Sequence, residues 1–386
     1  MKKRKTPGWL PQLKLTPPMG WNTWNTFAEK IDEQLIMQSA DALIESGLKD
    51  AGYEYIVIYD CWALRERDKD GRLVCDPIKF PHGMKYLADY IHSKGLNFGM
   101  YSCCGMMTCQ AFPSSFNYEY IDAETFASWG VDFLKYDYCY KPSSIAGKEL
   151  YRRMGIALAN CGRDILFSAC SWGADGTHEW IETTGANMWR STGDIVDTFE
   201  SIKDLIKRQY NILPYAGLGC FNDMDMLVVG MNGKGHVGLK GCTQDEYNLH
   251  FAVWCMLASP LMIGCDIRSM TEETKALLTN KELIAINQDS RCNKPYILCQ
   301  DSDENRPIII RLLENGDVAV CFVNMTDGAS RMWLSTDDIG LPSFAHKTFV
   351  GKEIFSGEQV RAINGAIMSV VKPHSAQVFR FKVVNK

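Results

Sequence analysis

Lys135, Asp137 and Cys139 stand at alternate positions at the end of the run Val131-Asp132-Phe133-Leu134, which reads as a buried strand bounded by Gly130. Alternation sends all three side chains to one side of the strand. Two charges buried there are costly unless they are paired or used. A second polar strand end, Trp189-Arg190-Ser191-Thr192-Gly193-Asp194, follows later in the chain. Two carboxylates at the ends of different strands suit cleavage of a glycosidic bond with retention. One attacks the anomeric carbon, the other protonates the leaving oxygen, and the two stand about 5–5.5 Å apart. Asp137 fits the nucleophile, because Lys135 beside it favours the ionised form. Asp194, after the Ser-Thr-Gly turn, fits the acid/base. Either aspartate would also serve as a helix N-cap, a reading that the pairing of Asp194 with Asp137 and Arg190 weighs against.

These strand ends need elements to hold them. From Gly20 to about Gln288, strand-like and helix-like patterns alternate. Helices are predicted over 33–46, 82–94, 123–129, 147–160, 197–209 and 245–257. Strands are predicted near 19–21 and over 53–58, 97–101, 131–137, 164–168, 187–190, 215–219 and 261–264. Eight β/α units in about 270 residues match the size of a (β/α)8 barrel, whose chemistry sits at the C-terminal strand ends. A doubly wound open sheet is the competing α/β arrangement, but no G-x-G-x-x-G follows the first strand. After about Asn293, short strands with turn signals such as Glu314-Asn315-Gly316 and Asp327-Gly328 predict an antiparallel β-sandwich. The expected division is a catalytic barrel over 1–292 and the β-sandwich over 293–386, more a structural cap than a sugar-binding module.

Composition narrows the function classes. A net charge of −5 gives no reason to expect nucleic acid as a partner. The basic start Met1-Lys2-Lys3-Arg4-Lys5 is followed by prolines rather than an apolar run, so no signal peptide is read and a cytoplasmic location is expected. The longest uncharged apolar stretch, 251–265, contains Ser259, Pro260 and Gly264 and reads as a core helix running into a strand, so no membrane span is expected. Fifteen cysteines form an odd set in a chain this large, which needs no disulfide scaffold. Cys103, Cys104, Cys109 and Cys139 would be the candidates for a metal or redox cluster, although no zinc-type spacing occurs.

The strand ends also carry a family resemblance. Thr16-Pro17-Pro18-Met19-Gly20-Trp21-Asn22, Asp60-Cys61-Trp62, Arg72-Leu73, Asp76-Pro77, Phe80-Pro81-His82-Gly83, Lys135-Tyr136-Asp137, Asn222-Asp223-Met224-Asp225-Met226 and Ala285-Ile286-Asn287-Gln288-Asp289 occur in order along the barrel. The chain resembles glycoside hydrolase family 27, the α-galactosidases and α-N-acetylgalactosaminidases. The resemblance implies a (β/α)8 barrel followed by a β-sandwich, retaining hydrolysis, Asp137 as nucleophile and Asp194 as acid/base, with no cofactor or metal. It implies Trp24 and Tyr101 as an aromatic wall, Asp60 and Lys135 as partners of the sugar hydroxyls, and Arg190 on the side of the 2-substituent. It also implies a Cys109–Cys139 disulfide beneath the site with Met226 beside it, and Trp172 as a neighbour in the pocket. The expected partner is the terminal galactose-configured sugar of an oligosaccharide or glycoconjugate. A homo-oligomer remains open, and leaving-group contacts are expected from the loop 230–241.

Three departures from the family pattern stand out. Tyr59 replaces an acidic residue that binds the 6-hydroxyl, and Ser171 with Ala174 replaces a Glu-containing pattern that binds the 2-hydroxyl. Glu29 stands where a cysteine would pair with Cys61. Ser171 and Ala174 resemble α-N-acetylgalactosaminidases, whereas Tyr59 suggests a sugar without the 6-hydroxymethyl arm, such as β-L-arabinopyranose. A site built for a hydroxyl discriminates strongly against analogues lacking it, so simple α-galactosides are expected to be poor substrates. A non-catalytic sugar-binding barrel is the alternative of another class.

Overall fold

The computed structural model describes residues 16–341 and 346–385; the basic segment Met1 to Lys5 lies outside them. Eight parallel strands form one sheet: β1 (Met19–Asn22), β2 (Tyr55–Val57), β3 (Asn97–Cys103), β4 (Phe133–Asp137), β5 (Leu166–Ala169), β6 (Met188–Arg190), β7 (Phe221–Asp223) and β8 (Leu261–Ile263). Their order runs β7-β6-β5-β4-β3-β2-β1-β8, every neighbour parallel. The ring closes just beyond β7, where Leu227 donates its N–H to the Met262 carbonyl (2.7 Å) and accepts from the Gly264 N–H (2.9 Å). Closure excludes the open doubly wound sheet.

Period-two alternation decides what faces the bore. Tyr55, Val57, Phe133, Leu166, Met188, Phe221 and Met262 pack together there, while Ile56, Leu134, Phe167 and Trp189 join the larger core outside it. Gly99 is in register with Val57 and Phe133, and a Cβ on it would come within 2.7 Å of Val57. The surrounding helices follow from capping and patterning. Glu33–Glu45 starts at Asp32, whose side chain accepts from the Leu35 N–H, and buries Leu35, Ile36, Ala40 and Leu43. Gln244–Met256 starts with a Thr243/Glu246 capping box. One predicted strand is displaced: 215–219 holds the end of a single 3-10 turn (Leu213–Tyr215) and a tight Gly217–Cys220 turn, with Gly219 at φ +77°. The seventh strand is instead Phe221–Asp223.

The second domain has a six-stranded antiparallel sheet and a two-stranded ribbon. The sheet is built from β9 (Tyr296–Cys299), β10 (Pro307–Leu312), β11 (Val318–Asn324), β13 (Lys347–Glu353), β14 (Gln359–Arg361) and β16 (Ser375–Asn385). The ribbon pairs β12 (Ser330–Ser335) with β15 (Ala366–Val371). Both faces of the large sheet are buried. Ile308, Ile310, Val320, Phe322 and Phe381 pack on Met332, Leu334 and Ile367 of the ribbon, whereas Ile309, Ala319, Cys321 and Val378 belong to the same core as the barrel. This two-sided burial is why Ile308-Ile309-Ile310 and the β11 run are continuously apolar. Among the described residues, no helix is long and apolar enough to cross a membrane.

Candidate active site

Phe133, Lys135 and Asp137 share the inner face of β4, and the last two reach the open end of the barrel. Asp137 is 1 % exposed. One of its oxygens accepts from the Tyr138 N–H (3.0 Å) and the other from the Tyr59 hydroxyl (2.7 Å). Burial pushes Asp137 above its usual pKa, and the negative charge of Asp194 adds to this. Lys135 and the Tyr59 hydrogen bond pull the other way without cancelling it. Lys135 thus favours the ionised form, as expected from its position, and limits the rise that burial imposes.

Arg190 ends β6 and is buried. Its guanidinium joins three groups: Nη1 pairs with Asp225 (2.9 Å), and Nη2 pairs with Asp194 (2.9 Å) and donates to the Thr192 carbonyl (3.0 Å). Asp194 itself has a side chain 70 % exposed. The protein packed around it raises its pKa despite that exposure, yet the charge and hydrogen bond of Arg190, followed by Lys135, hold it below the ordinary carboxylate value. Neither aspartate caps a helix. The helices after β4 and β6 begin behind Ala146 and Thr198.

Three aromatic rings meet beside the carboxylates. Tyr59 stacks on Tyr101 with centroids 4.3 Å apart and lies against Trp24 at 4.9 Å. Tyr101 is fully buried, its hydroxyl against Cys109, Tyr59 is nearly so, and Trp24 is the half-buried ring of the three. The Asp60 carboxylate accepts from the Cys61 and Gln110 N–H groups and is raised by burial, with Asp137 adding to the rise. Cys109 and Cys139 are joined in a disulfide. Their sulfurs and a carboxylate oxygen of Asp137 all lie within 4.8 Å of one another. Two of the four cysteines considered for a metal cluster thus have no thiolate to offer.

Ser171 is fully buried with its hydroxyl against Thr177, while Trp172 and Ala174 are half-buried in the turn after β5. Gly173 makes that turn possible, with φ +80° and the Ser191 carbonyl 2.4 Å from where a Cβ would stand. Met226 is buried in the bore cluster. From the loop 230–241, His236 meets the Trp24 ring edge-on at 5.4 Å.

Asp225 was missed as an individual site residue. It binds Arg190 through one oxygen and the Ile195 N–H (2.7 Å) through the other, gripping both sides of Asp194 in sequence. Its φ of +85° is unusual for a residue with a Cβ. The signal was present in Asn222-Asp223-Met224-Asp225-Met226, whose two acids alternate at a strand end.

Comparison with known proteins agrees with this geometry. A family model described as alpha galactosidase A matches residues 16–289. Alpha-galactosidase A of Cellvibrio japonicus is 42% identical over 366 residues, covering 90% of this chain and 86% of that protein. The crystal structure of alpha-galactosidase I from Mortierella vinacea has a TM-score of 0.89 at 36% identity, covering 96% of this chain and 98% of that one. The α-galactosidase of Saccharomyces cerevisiae, solved with raffinose, has a TM-score of 0.86 at 29% identity, covering 96% and 98%. The chain therefore belongs to the α-galactosidase family and is a glycoside hydrolase.

Proposed function

We propose that this enzyme removes a terminal α-linked sugar of galactose configuration from an oligosaccharide or glycoconjugate, with retention at the anomeric carbon. The observation that carries the mechanism is that Asp137 at the end of β4 and Asp194 beyond β6 feel each other's charge, with Arg190 paired to Asp194 and Lys135 acting on both. In the first step a carboxylate oxygen of Asp137 bonds to the anomeric carbon. The bond to the leaving oxygen breaks, and that oxygen takes the Asp194 proton. In the second step Asp194 takes a proton from water as the water oxygen bonds to the same carbon, and the electron pair of the broken bond returns to Asp137. Asp60, Lys135 and Arg190 would hold the sugar hydroxyls, with Trp24 against its apolar face.

Galactose is favoured as the sugar because the similar proteins described above are α-galactosidases and one was solved with raffinose. The burial of Ser171 against Thr177 removes the main support for an N-acetyl pocket. A second reading, a pentopyranoside of the same configuration, draws support from the bulk of Tyr59 packed on Tyr101. Initial rates on aryl α-galactoside, α-N-acetylgalactosaminide and β-L-arabinopyranoside separate these readings, with Asp137→Ala as the blank. The galactoside is expected to be cleaved fastest, and Asp137→Ala to lose roughly 10⁴-fold or more. Faster arabinopyranoside cleavage would move the assignment to the pentose, and no cleavage of any would sink the glycosidase reading.

A further inference from the structure

Tyr59 is held more tightly than a residue that merely lines a pocket. Its backbone N–H donates to the Thr23 hydroxyl (3.0 Å). Its ring is stacked on the buried Tyr101, and the Lys135 ammonium lies 5.3 Å from the ring centroid. What this places on the nucleophile is a single phenolic O–H, 2.7 Å from an Asp137 oxygen. We propose that Tyr59 is a positioning residue that holds Asp137 and eases its departure from the glycosyl-enzyme, acting through the carboxylate rather than on the sugar. This rests on the retaining mechanism proposed above.

The groups facing Asp137 come from five strand ends and one helix: Tyr59 and Asp60 after β2, Tyr101 and Cys103 on β3, Lys135 on β4, Cys170 after β5, Asp194 after β6, and Tyr151 of the helix Gly147–Ala159. Lys135 supplies positive charge and Tyr59 the side-chain hydrogen bond that favour the ionised form. Burial, with the Asp137 charge adding to it, lifts the Tyr59 phenol well above its ordinary pKa, so it remains a donor.

A hydrogen bond to an ionised carboxylate is about twice as strong as one to a neutral acceptor. In the first step Asp137 becomes an ester, and the Tyr59 bond weakens. In the second step the bond from the anomeric carbon to Asp137 breaks and its electron pair returns to the carboxylate, restoring the strong bond. Tyr59 thus favours the second step over the first.

Tyr59→Phe keeps the stack and the size while removing the donor. We expect kcat to fall roughly 10- to 100-fold and KM to fall with it, because the glycosyl-enzyme accumulates. The alkaline limb of kcat/KM should also move to higher pH: in the empty site Asp137 is the carboxyl of the pair that loses its proton last, and losing a donor raises its pKa. A kcat and KM both within about threefold of the parent, with the limb unmoved, would reduce Tyr59 to packing and overturn the proposal. A ¹³C titration of the Asp137 carboxyl gives a reading independent of turnover. If the parent enzyme is inert on every glycoside, the glycosidase reading fails, and an Asp137 titration unchanged in Tyr59→Phe overturns the positioning role as well.

Discussion

Burial lifts Asp137 above the usual carboxylate range, while Asp194, which burial also pushes upward, is held below it by Arg190 and Lys135. Double displacement needs the reverse, with Asp137 ionised and Asp194 carrying a proton. The productive form of the empty site is therefore the minor protonation state, and the two limbs of its pH profile belong to the pair rather than to either residue. Asp225 governs this balance, because it shares the Arg190 charge with Asp194 and also anchors Ile195. Asp225→Asn keeps an acceptor for the Ile195 N–H and removes the shared charge. Arg190 then acts on Asp194 alone, and Asp194 loses its proton at lower pH. Because Asp194 is the first of the pair to lose its proton, the acid limb of kcat/KM should move to lower pH. Depriving buried Arg190 of a partner should also cost about 3 kcal/mol in denaturant unfolding. Lower stability with an unmoved acid limb would leave Asp225 a purely structural role.

At the level of elements, what could be read from the sequence depended on whether an element's burial is set locally. β4 was legible because its alternation already separates Phe133, Lys135 and Asp137 from Leu134 and Tyr136. Helix starts were legible where a cap such as Asp32 stands before an apolar stripe. β7 was not, since it has three residues, two of them polar, and the ring closes beyond its end at Leu227. The direction of Tyr59 was hidden for a related reason: its partner lies on β4, two strands away, and only closure of the barrel brings them together. The missing Cys61 disulfide shows another kind of hidden substitution. Cys61 is unpaired and buried, and the Lys79 ammonium bonds the carbonyls of both Cys61 (2.8 Å) and Glu29 (2.9 Å). A charge-assisted bridge thus spans the two segments that a cross-link would join. Lys79→Met should destabilise the protein by about 2 kcal/mol, read as a lower denaturant midpoint at unchanged slope. A midpoint equal to the parent's would mean that the bridge adds nothing.

Across the whole molecule, the second domain is part of the structure that steadies the site. The Gln244–Met256 helix is buried along most of its length because it lies between the barrel and the β-sheet. Trp254 on that helix donates its indole N–H to the Asp225 carbonyl (2.7 Å). Arg311 of β10 is fully buried and reaches across the interface. It donates to the carbonyls of Ile286 (2.7 Å), Cys255 (3.4 Å) and Asn293 (3.2 Å). A continuous chain of contacts therefore runs from the β-sheet through this helix to Asp225, Arg190 and Asp194. Sharing one core, the two domains should unfold together, with activity and near-ultraviolet dichroism lost in a single transition. Arg311→Met fills much of the same space but leaves those carbonyls without their donor. It should lower stability by about 3 kcal/mol and shift both signals by the same amount. If the activity midpoint stayed in place while the dichroism split into two steps, the β-sandwich would be an independent appendage. The route from Arg311 to the catalytic carboxylates would then carry no coupling.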